Sequence, residues 1–374
     1  MFLTRLFKAD SIRGASSRRF NANMCAATAT TPSSTLAAKM TSLPRVVLCD
    51  PVVHKNDCQA LFEGIAEVLL LDHTANRDDF IRALQPGGQL EGAVGLFERN
   101  QSIGRIGRFD KELISKLPLT IKWIAHMGAG YDKVDVFACK ERGIGVSNTP
   151  GAVDDATATT TLYLLISALR SFSAAERSLR AGNWKKSHSA VNAHDLTGRT
   201  VAILGLGGIG LRFAQLVHAF PMRVLYHNRR KVAGAPEWCE YYDKDHLDDM
   251  LAQADVLSIH VPFTEETRNI VDERMIRKLK KGAVIINTAR GQVVDEEAMM
   301  QALKDGHLSA VGLDVFYNEP NIDPRWYDVP NAVLLPHVGT ATADTAKQME
   351  LRALANLRDF VLTGKGTDLV PELR

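Results

Sequence analysis

Residues 200–210 read Thr200-Val201-Ala202-Ile203-Leu204-Gly205-Leu206-Gly207-Gly208-Ile209-Gly210. Residues 200–204 form a short apolar run that predicts a buried strand, and the apolar pattern of residues 211–220 predicts a helix. A GxGxxG sequence alone is a weak signal, but between a strand and a helix it is typical of a dinucleotide-binding turn. We therefore predict a Rossmann βαβ unit here, with a purely structural glycine-rich turn as the alternative.

The residues of this turn have separate predicted roles. Gly205 allows a tight turn, Gly207 lets a pyrophosphate approach and Gly210 permits close packing of the helix on the strand. Gly208 and Ile209 begin the helix, whose N-terminus offers free N–H groups and a positive dipole to phosphates. All five residues are predicted to bind the cofactor.

The end of the next strand bears on which cofactor binds. An acidic residue about 20 positions after the turn usually holds the ribose 2′-hydroxyl. Here the segment is His227-Asn228-Arg229-Arg230-Lys231, without a carboxylate. Because guanidinium groups pair well with a 2′-phosphate, Asn228, Arg229 and Arg230 are predicted to bind the cofactor, and NADPH is favoured over NADH. The alternative is a solvated basic turn with NADH as the cofactor.

Three further predicted strands end in side chains suited to chemistry. The segments 284–291, 311–320 and 333–340 are largely apolar and end near Arg290, Glu319 and His337. In a doubly wound sheet the carboxyl ends of parallel strands share one edge, where ligands bind. We therefore expect these three side chains to meet at the nicotinamide end of the cofactor.

These residue types match the needs of 2-keto acid reduction by a hydride. The guanidinium of Arg290 stays charged and can bind a carboxylate through two N–H groups. An imidazole such as that of His337 can protonate the forming alkoxide near neutral pH. The carboxylate of Glu319 would favour the protonated ring and orient it. Each residue alone has a plainer interpretation (a surface ion pair, a helix cap, a buried histidine), but the set after a dinucleotide motif predicts catalysis.

The rest of the chain predicts a second α/β unit. Short apolar strands alternate with helical stretches before residue 150, which indicates a parallel sheet. Residues 154–182 predict one long helix, and residues 343–363 predict a final one. The predicted fold class is α/β with two open doubly wound parallel-sheet domains. These are a flavodoxin-like substrate-binding domain at 45–150, completed by 343–374, and a Rossmann dinucleotide-binding domain at 151–342.

Composition argues against other classes of function. The chain is 45% hydrophobic and 24% charged, which is ordinary for a globular protein. No apolar run reaches the roughly 18 residues that a membrane span needs. Because residues 1–44 hold six basic residues against Asp10 alone and the net charge is only +2, the remainder is mildly acidic. It lacks the broad basic surface that nucleic-acid binding requires.

The segment 1–44 predicts targeting. It is rich in Arg, Ser, Thr and Ala and poor in acidic residues, which is typical of a mitochondrial transit peptide. We expect the protein in the mitochondrial matrix. A disordered, untargeted leader, or translation from Met40, would instead leave it cytoplasmic.

The five cysteines form no CxxC pair. A zinc or other metal site and a disulfide framework are therefore not expected, and a reducing compartment fits better.

Together these motifs resemble the D-isomer-specific 2-hydroxyacid dehydrogenase family, over residues 45–374, and within it the fungal type of glyoxylate and hydroxypyruvate reductase. The resemblance implies that Arg290, Glu319 and His337 are catalytic. It also implies homodimers and a discontinuous substrate domain. The motifs that carry the resemblance are Gly205-Leu206-Gly207-Gly208-Ile209-Gly210, Asn287-Thr288-Ala289-Arg290-Gly291, Asp314-Val315-Phe316-Tyr317-Asn318-Glu319-Pro320 and Pro336-His337-Val338-Gly339-Thr340.

The resemblance implies further contacts. Asp314 would meet the nicotinamide carboxamide, and the loop of residues 127–130 would hold the substrate carboxylate by its backbone N–H groups. The full implied substrate set is Ala129, Gly130, Arg290 and His337. The further cofactor contacts implied are His260, Pro262, Thr288 and Gly339.

Two departures from the family pattern are visible. Tyr317 stands where a glutamate is frequent, which leaves catalysis intact if Glu319 is the essential carboxylate. His227 replaces the usual acidic residue, with Arg229 two positions later, as in reductases that prefer NADPH. Relatives that oxidise formate carry a glutamine at the position of Glu319, so the sequence argues against that activity.

Other functions stay open. One is an NAD-dependent D-2-hydroxyacid dehydrogenase that acts on lactate-like or mandelate-like acids. Another is a nucleotide-sensing protein without enzymatic activity. Phe97, Glu98 and Arg99 follow a predicted strand and are candidates to line the substrate pocket, with a surface loop as the alternative.

Overall fold

The computed structural model describes residues 42–184 and 193–374. The predicted targeting segment lies, apart from its last residues, outside the described part of the chain. No helix among the described residues is both long and apolar enough to cross a membrane.

The first sheet has five parallel strands in the order β2-β1-β3-β4-β5. This order is that of flavodoxin-like folds, and it places β1 and β3 at the point where the chain reverses direction across the sheet. The strands are β1 (Arg45–Leu48), β2 (Glu67–Leu70), β3 (Ala93–Glu98), β4 (Trp123–His126) and β5 (Gly145–Ser147). The helices between them are α1 (Lys55–Phe62), α2 (Arg77–Leu84), α3 (Asn100–Ile106), α4 (Lys111–Lys116) and α5 (Val136–Glu141).

The second sheet has seven parallel strands in the order β12-β11-β10-β9-β6-β7-β8. Its switch point lies between β6 and β9, as in a Rossmann sheet. The strands are β6 (Thr200–Leu204), β7 (Arg223–His227), β8 (Cys239–Tyr242), β9 (Val256–Ile259), β10 (Ala283–Asn287), β11 (Leu308–Leu313) and β12 (Ala332–Leu334). The helices are α6 (Asp154–Arg170), α7 (Phe172–Arg180), α8 (Gly208–His218), α9 (Leu247–Gln253), α10 (Glu273–Lys278), α11 (Glu296–Lys304) and α12 (Ala343–Thr363). The predicted fold class is confirmed.

The sequence pattern was wrong in one place, because the single helix predicted over residues 154–182 is two helices. The first helix ends before Ser171, which adopts a left-handed conformation with φ of 54°. The hydroxyl of Ser167 accepts a hydrogen bond from the backbone N–H of Ser173 at 3.2 Å. Serine side chains of this kind compete with the helical hydrogen-bond ladder, which explains a break that apolar periodicity does not reveal.

Helix α12 returns to the first sheet and packs on β3 and β4. Its apolar side, Ala353, Leu354 and Leu357, is fully buried in the cluster that also contains Phe97. The ring of Phe360 stacks on Trp123 with a centroid distance of 5.3 Å. The last helix of the chain is therefore part of the layer that covers the first sheet.

We expect Leu357→Ala to lower the free energy of unfolding by about 2–5 kcal/mol, because it leaves a cavity in a packed core. Leu362 lies on the same helix but is 58% exposed, so Leu362→Ala is the matched control and should change stability by less than about 0.5 kcal/mol. Both values follow from urea denaturation. Equal losses in the two variants would show that α12 does not pack as described.

Candidate active site

A histidine–carboxylate pair lies just beyond β12. The Nδ1 atom of His337 is 2.6 Å from Oε2 of Glu319, and Oε1 of Glu319 accepts a hydrogen bond from the N–H of Phe316 at 2.9 Å. Burial alone would raise the pKa of Glu319, but the hydrogen bond and charge of His337 outweigh it and hold the pKa below its usual value. Since a carboxylate only accepts, Nδ1 carries a proton. The Nε2 atom of His337 has no hydrogen-bond partner among the described residues.

Asp314 anchors the segment that carries this histidine. Its two carboxylate oxygens accept hydrogen bonds from the N–H groups of Val338 and Gly339, both at 2.8 Å. Asp314 is 1% exposed, and burial raises its pKa although these hydrogen bonds oppose the change. A Cβ atom on Gly339 would come within 2.8 Å of this carboxylate, so glycine is required for the contact. Asp314 thus has a structural contact that the sequence did not predict.

Arg290 follows β10 and is held by a residue of the first sheet. Its Nε and Nη2 atoms contact Oδ1 of Asp132 at 2.9 Å and 2.8 Å. Its Nη1 atom donates to the carbonyl of Ala289 at 2.7 Å. Burial alone would raise the pKa of Asp132, but the charge of Arg290 and its hydrogen bond lower it overall. Because Asp132 follows β4, this ion pair joins the carboxyl edges of the two sheets.

The loop of residues 127–130 directs its carbonyl groups into the protein. The carbonyl of Gly128 accepts from the N–H of Thr149 at 3.0 Å, and that of Ala129 accepts from Nδ2 of Asn148 at 2.8 Å. The carbonyl of Gly130 lies 2.9 Å from Nε2 of His126.

The N–H groups of Gly128, Ala129 and Gly130 donate to no acceptor in the described part of the protein. A Cβ atom on Gly130 would lie 1.9 Å from Nη2 of Arg290, which places the loop directly against the guanidinium. A row of free N–H groups beside a cation is a suitable site for a carboxylate.

The glycine-rich turn connects β6 to α8. Gly205 has a φ of 101°, a conformation that glycine adopts readily. A Cβ atom on Gly210 would lie 2.2 Å from the carbonyl oxygen of Gly205, whereas one on Gly207 would have no atom within 4 Å. The turn is therefore closed on its protein side and open at Gly207. This geometry fits the pyrophosphate of a dinucleotide at the N-terminus of α8.

Asn228 contacts this glycine-rich turn, because its Oδ1 accepts a hydrogen bond from the N–H of Leu206 at 2.6 Å. Next to it, Nδ1 of His227 lies 2.9 Å from the carbonyl of Tyr242 in β8, a strand that the sequence did not predict. Arg229 and Arg230 are exposed, and within the described residues neither forms an ion pair. Two guanidinium groups are thus available at the end of β7.

The remaining predicted cofactor contacts lie around the same edge. The Nε2 atom of His260 is 2.8 Å from the hydroxyl of Ser258, and burial lowers the pKa of His260 to about 3, so its ring is neutral near pH 7. The hydroxyl of Thr288 lies 2.9 Å from that of Thr161 in α6. The carbonyl of Pro262 accepts from Thr267 at 2.7 Å.

Sequence reasoning missed Asp132, Asn148 and His126. A signal in the sequence exists for two of them, Asp132 and His126. Asp132 lies two positions after the loop of residues 127–130. His126 is a polar residue at the carboxyl end of a strand, the same kind of position that pointed to Arg290. Glu98, for which a surface loop was one alternative, is fully buried at the end of β3.

Comparisons with known proteins agree with this geometry. Residues 162–339 match the family model described as "D-isomer specific 2-hydroxyacid dehydrogenase, NAD binding domain". The 4-methyl-2-oxopentanoate reductase A of Aspergillus oryzae is 40% identical over 332 residues, which cover 88% of this chain and 98% of that protein.

Two solved structures are similar over nearly their whole length. The glyoxylate reductase from Paecilomyes thermophila is 39% identical with a TM-score of 0.84, covering 90% of this chain and 100% of that one. The NADPH-dependent glyoxylate/hydroxypyruvate reductase from Sinorhizobium meliloti, in complex with citrate, is 30% identical with a TM-score of 0.75, covering 88% and 98%. The chain belongs to the D-isomer-specific 2-hydroxyacid dehydrogenase family, as the resemblance in its sequence predicted.

Proposed function

We propose that this enzyme reduces small 2-keto acids, with glyoxylate and hydroxypyruvate as the preferred substrates, to D-2-hydroxy acids by using NADPH. The observation that carries the proposal is the meeting of Arg290 with the free N–H groups of residues 128–130. This arrangement offers a carboxylate a cation and neutral donors at one place. The names of the Paecilomyes and Sinorhizobium relatives support the choice of substrates.

Substrate binding follows from these donors. The N–H groups of Ala129 and Gly130 hold the substrate carboxylate, and Arg290 binds the same end and polarises the carbonyl oxygen at C2. Because Asp132 already occupies Nε and one side of Nη2, only the remaining N–H bonds of the guanidinium are available to the substrate. The ion pair therefore orients Arg290 before the substrate arrives.

Proton transfer belongs to His337. When bound, the cofactor supplies a hydride to C2 of the substrate. The Nε2–H of His337 donates a proton to the oxygen that becomes negative, and the product leaves as a hydroxy acid. Glu319 accepts the hydrogen bond of Nδ1–H and orients the ring, so that Nε2 faces the substrate side.

The exposed Arg229 and Arg230 support the preference for NADPH, since a 2′-phosphate supplies the anion that these guanidinium groups lack. Without a carboxylate at the end of β7, nothing there repels that phosphate.

The proposal extends to organisation and location. Residues 45–150 with 343–374 form the substrate-binding domain, and residues 151–342 form the dinucleotide-binding domain. The packing of α12 on β3 and β4 supports this division. The enzyme is a homodimer in the mitochondrial matrix, in keeping with its family and with the composition of residues 1–44.

The first test is a matrix of initial rates, followed by the loss of near-ultraviolet absorbance of the reduced nicotinamide. Glyoxylate, hydroxypyruvate, pyruvate, 4-methyl-2-oxopentanoate and phenylglyoxylate are each offered with NADPH and with NADH. We expect the highest kcat/KM for glyoxylate or hydroxypyruvate with NADPH. Activity confined to NADH or to bulky keto acids would favour the lactate-like or mandelate-like alternative, and no activity at all would favour a nucleotide-sensing protein.

The cofactor preference is tested by Arg229→Ala. We expect kcat/KM to fall about tenfold to a hundredfold with NADPH, since one charge-assisted contact to the 2′-phosphate is lost. With NADH the value should change less than about threefold, because no such contact exists. Equal losses with both cofactors would mean that Arg229 does not contact the 2′-phosphate.

The role of Glu319 is tested through the pH profile. The hydrogen bond and charge of His337 lower the pKa of Glu319, so the carboxylate that accepts Nδ1–H is present at neutral pH and is lost only as the pH falls through that lowered pKa. In the wild type we therefore expect kcat/KM to fall at acid pH, where Glu319 takes up a proton. Glu319→Gln has no titrating group at this position, so this acid fall should be absent and kcat/KM should be lower than that of the wild type at neutral pH.

His337→Ala is the reference in the same assay. It should lower kcat by about 10²–10⁴-fold and leave the Kd of NADPH, measured by fluorescence, nearly unchanged. A pH profile of Glu319→Gln that superimposes on the wild type would contradict the proposed pair.

A further inference from the structure

A second carboxylate–imidazole pair lies beneath the substrate loop. Glu98 ends β3 and His126 ends β4, and the two are 0% and 1% exposed. Nδ1 of His126 contacts Oε1 of Glu98, and Nε2 of the same ring lies 2.9 Å from the carbonyl oxygen of Gly130. The proposed chemistry uses neither side chain directly.

The hydrogen bonds of His126 define where its protons are. A carbonyl oxygen only accepts, so Nε2 must carry a proton to bond with Gly130. Nδ1 faces a carboxylate, so a second proton lies between Nδ1 and Glu98. If that second proton were lost, the remaining one would move to Nδ1 to face the negative carboxylate, and Nε2 would turn a lone pair toward the carbonyl.

The surrounding charges favour retention of the second proton. Burial alone would lower the pKa of His126, but the charge and hydrogen bond of Glu98 raise it above its usual value, and Asp132 adds to the increase. Behind Glu98 lies the thiol of Cys49, whose pKa is raised by burial and by the neighbouring carboxylates.

The other charged groups near the pair face one another, although Nε of Arg99 and Oδ2 of Asp50 have no hydrogen-bond partner among the described residues. Asp50 bonds Arg105 at 2.8 Å, and Arg99 lies 3.8 Å from Asp50. Arg290 is bonded to Asp132. None of these groups donates to the carbonyl of Gly130, so His126 provides that hydrogen bond.

The imidazole supports the loop directly. A Cβ atom on Gly128 would lie only 2.6 Å from Nε2 of His126, so the ring fills the space beneath the loop. The carbonyl groups of Gly128 and Ala129 have backbone and amide donors of their own. The carbonyl of Gly130 is held by this ring alone among the described residues, and that carbonyl sets the orientation of the Gly130–Tyr131 peptide, at the end of the loop that lies against Arg290.

We propose that Glu98 and His126 are positioning residues for the substrate, and that the proton they share keeps the loop of residues 127–130 in the shape whose N–H groups bind the substrate carboxylate. The inference rests on the proposed function. The pair acts on substrate binding through the loop and takes no part in proton transfer to the product.

The first test compares two substitutions of His126. His126→Leu removes the donor, and we expect the KM for glyoxylate to rise about tenfold while kcat changes less than about threefold. His126→Gln places an amide N–H near the position of Nε2 and should recover most of that loss. The Kd of oxamate, an unreactive 2-keto acid analogue, should follow KM when measured by calorimetry with NADPH bound, while the Kd of NADPH itself stays constant.

His307 provides the matched control. Its Nε2 atom also lies 2.9 Å from a backbone carbonyl, that of Ile276, far along the chain from the loop. His307→Leu should leave KM for glyoxylate unchanged, and thermal unfolding of each variant separates loss of folding from loss of binding. If His126→Leu and His307→Leu raise KM equally, or if His126→Gln recovers nothing, the inference is overturned.

The pH dependence gives a readout that a purely structural pair would not show. In the wild type the shared proton is present below the raised pKa of His126 and is lost as the pH increases beyond it, so substrate binding weakens there. In Glu98→Gln the uncharged amide can donate to Nδ1, and the neutral ring keeps its proton on Nε2 at every pH.

The KM of the wild type divided by that of Glu98→Gln should therefore rise as the pH increases above neutrality. Taking the ratio at each pH cancels the titration of every group that the two proteins share. A ratio that stays flat would overturn the role of the shared proton. A wild type that turns over no 2-keto acid and binds no oxamate would overturn the proposed function, whereas normal turnover with unaffected His126 variants would overturn this inference alone.

Discussion

The ion pair between Arg290 and Asp132 joins the two halves of the candidate active site. Arg290 follows β10 of the second sheet and Asp132 follows β4 of the first, so neither sheet holds the complete site. A solvent-exposed ion pair contributes little to stability. Here both side chains are mostly buried, and the contact fixes which N–H groups of the guanidinium remain free. The main effect of the pair is therefore to orient the guanidinium of Arg290, since a cation that is already oriented does not have to be ordered by a ligand.

The loop opposite Arg290 follows from a general rule about buried backbone. Buried carbonyl groups need donors, and the three carbonyl groups of residues 128–130 find theirs in Thr149, Asn148 and His126. Because the N–H of a trans peptide points away from its carbonyl, these three carbonyl groups direct the N–H groups of Ala129, Gly130 and Tyr131 to the opposite side. Glycine is needed at two positions of this loop because His126 lies beneath one and Arg290 lies against the other. The anion site is thus made by the loop's supports as much as by the loop.

Two of the carboxylate–histidine pairs in the described part of the chain, Glu319–His337 and Glu98–His126, have different surroundings. Glu319 and His337 are about one-third exposed and leave Nε2 free, which suits the transfer of a proton to a ligand. Glu98 and His126 are fully buried, and both nitrogens of the ring are engaged. The two pairs therefore differ in whether the second ring nitrogen has a partner within the described part of the protein, and this difference is the basis for the different roles proposed for them.

The sequence determined the features that depend on local order along the chain. The strand–glycine–helix pattern at residues 200–220 identified the dinucleotide turn, because a tight turn and close helix packing impose glycine at fixed spacings. The placement of Arg290, Glu319 and His337 after neighbouring strands could also be predicted from sequence, because parallel strands bring their carboxyl ends to one edge of the sheet. The break at Ser171 and the short strand β8 were missed. A serine hydroxyl that competes for backbone hydrogen bonds, and a short strand that pairs at the edge of a sheet, produce no periodic pattern of apolar residues.

Only the tertiary structure decided which partners hold these residues. Asp132 lies 158 positions from Arg290, and Glu98 lies 28 positions from His126, so neither pairing has a signature in local spacing. Such contacts form because a polar group taken out of water must find a partner wherever the packed sheets bring one within reach. The residue types at the ends of single strands can therefore be predicted from the sequence. The orientation of their side chains depends on how the two sheets meet, which only the tertiary structure shows.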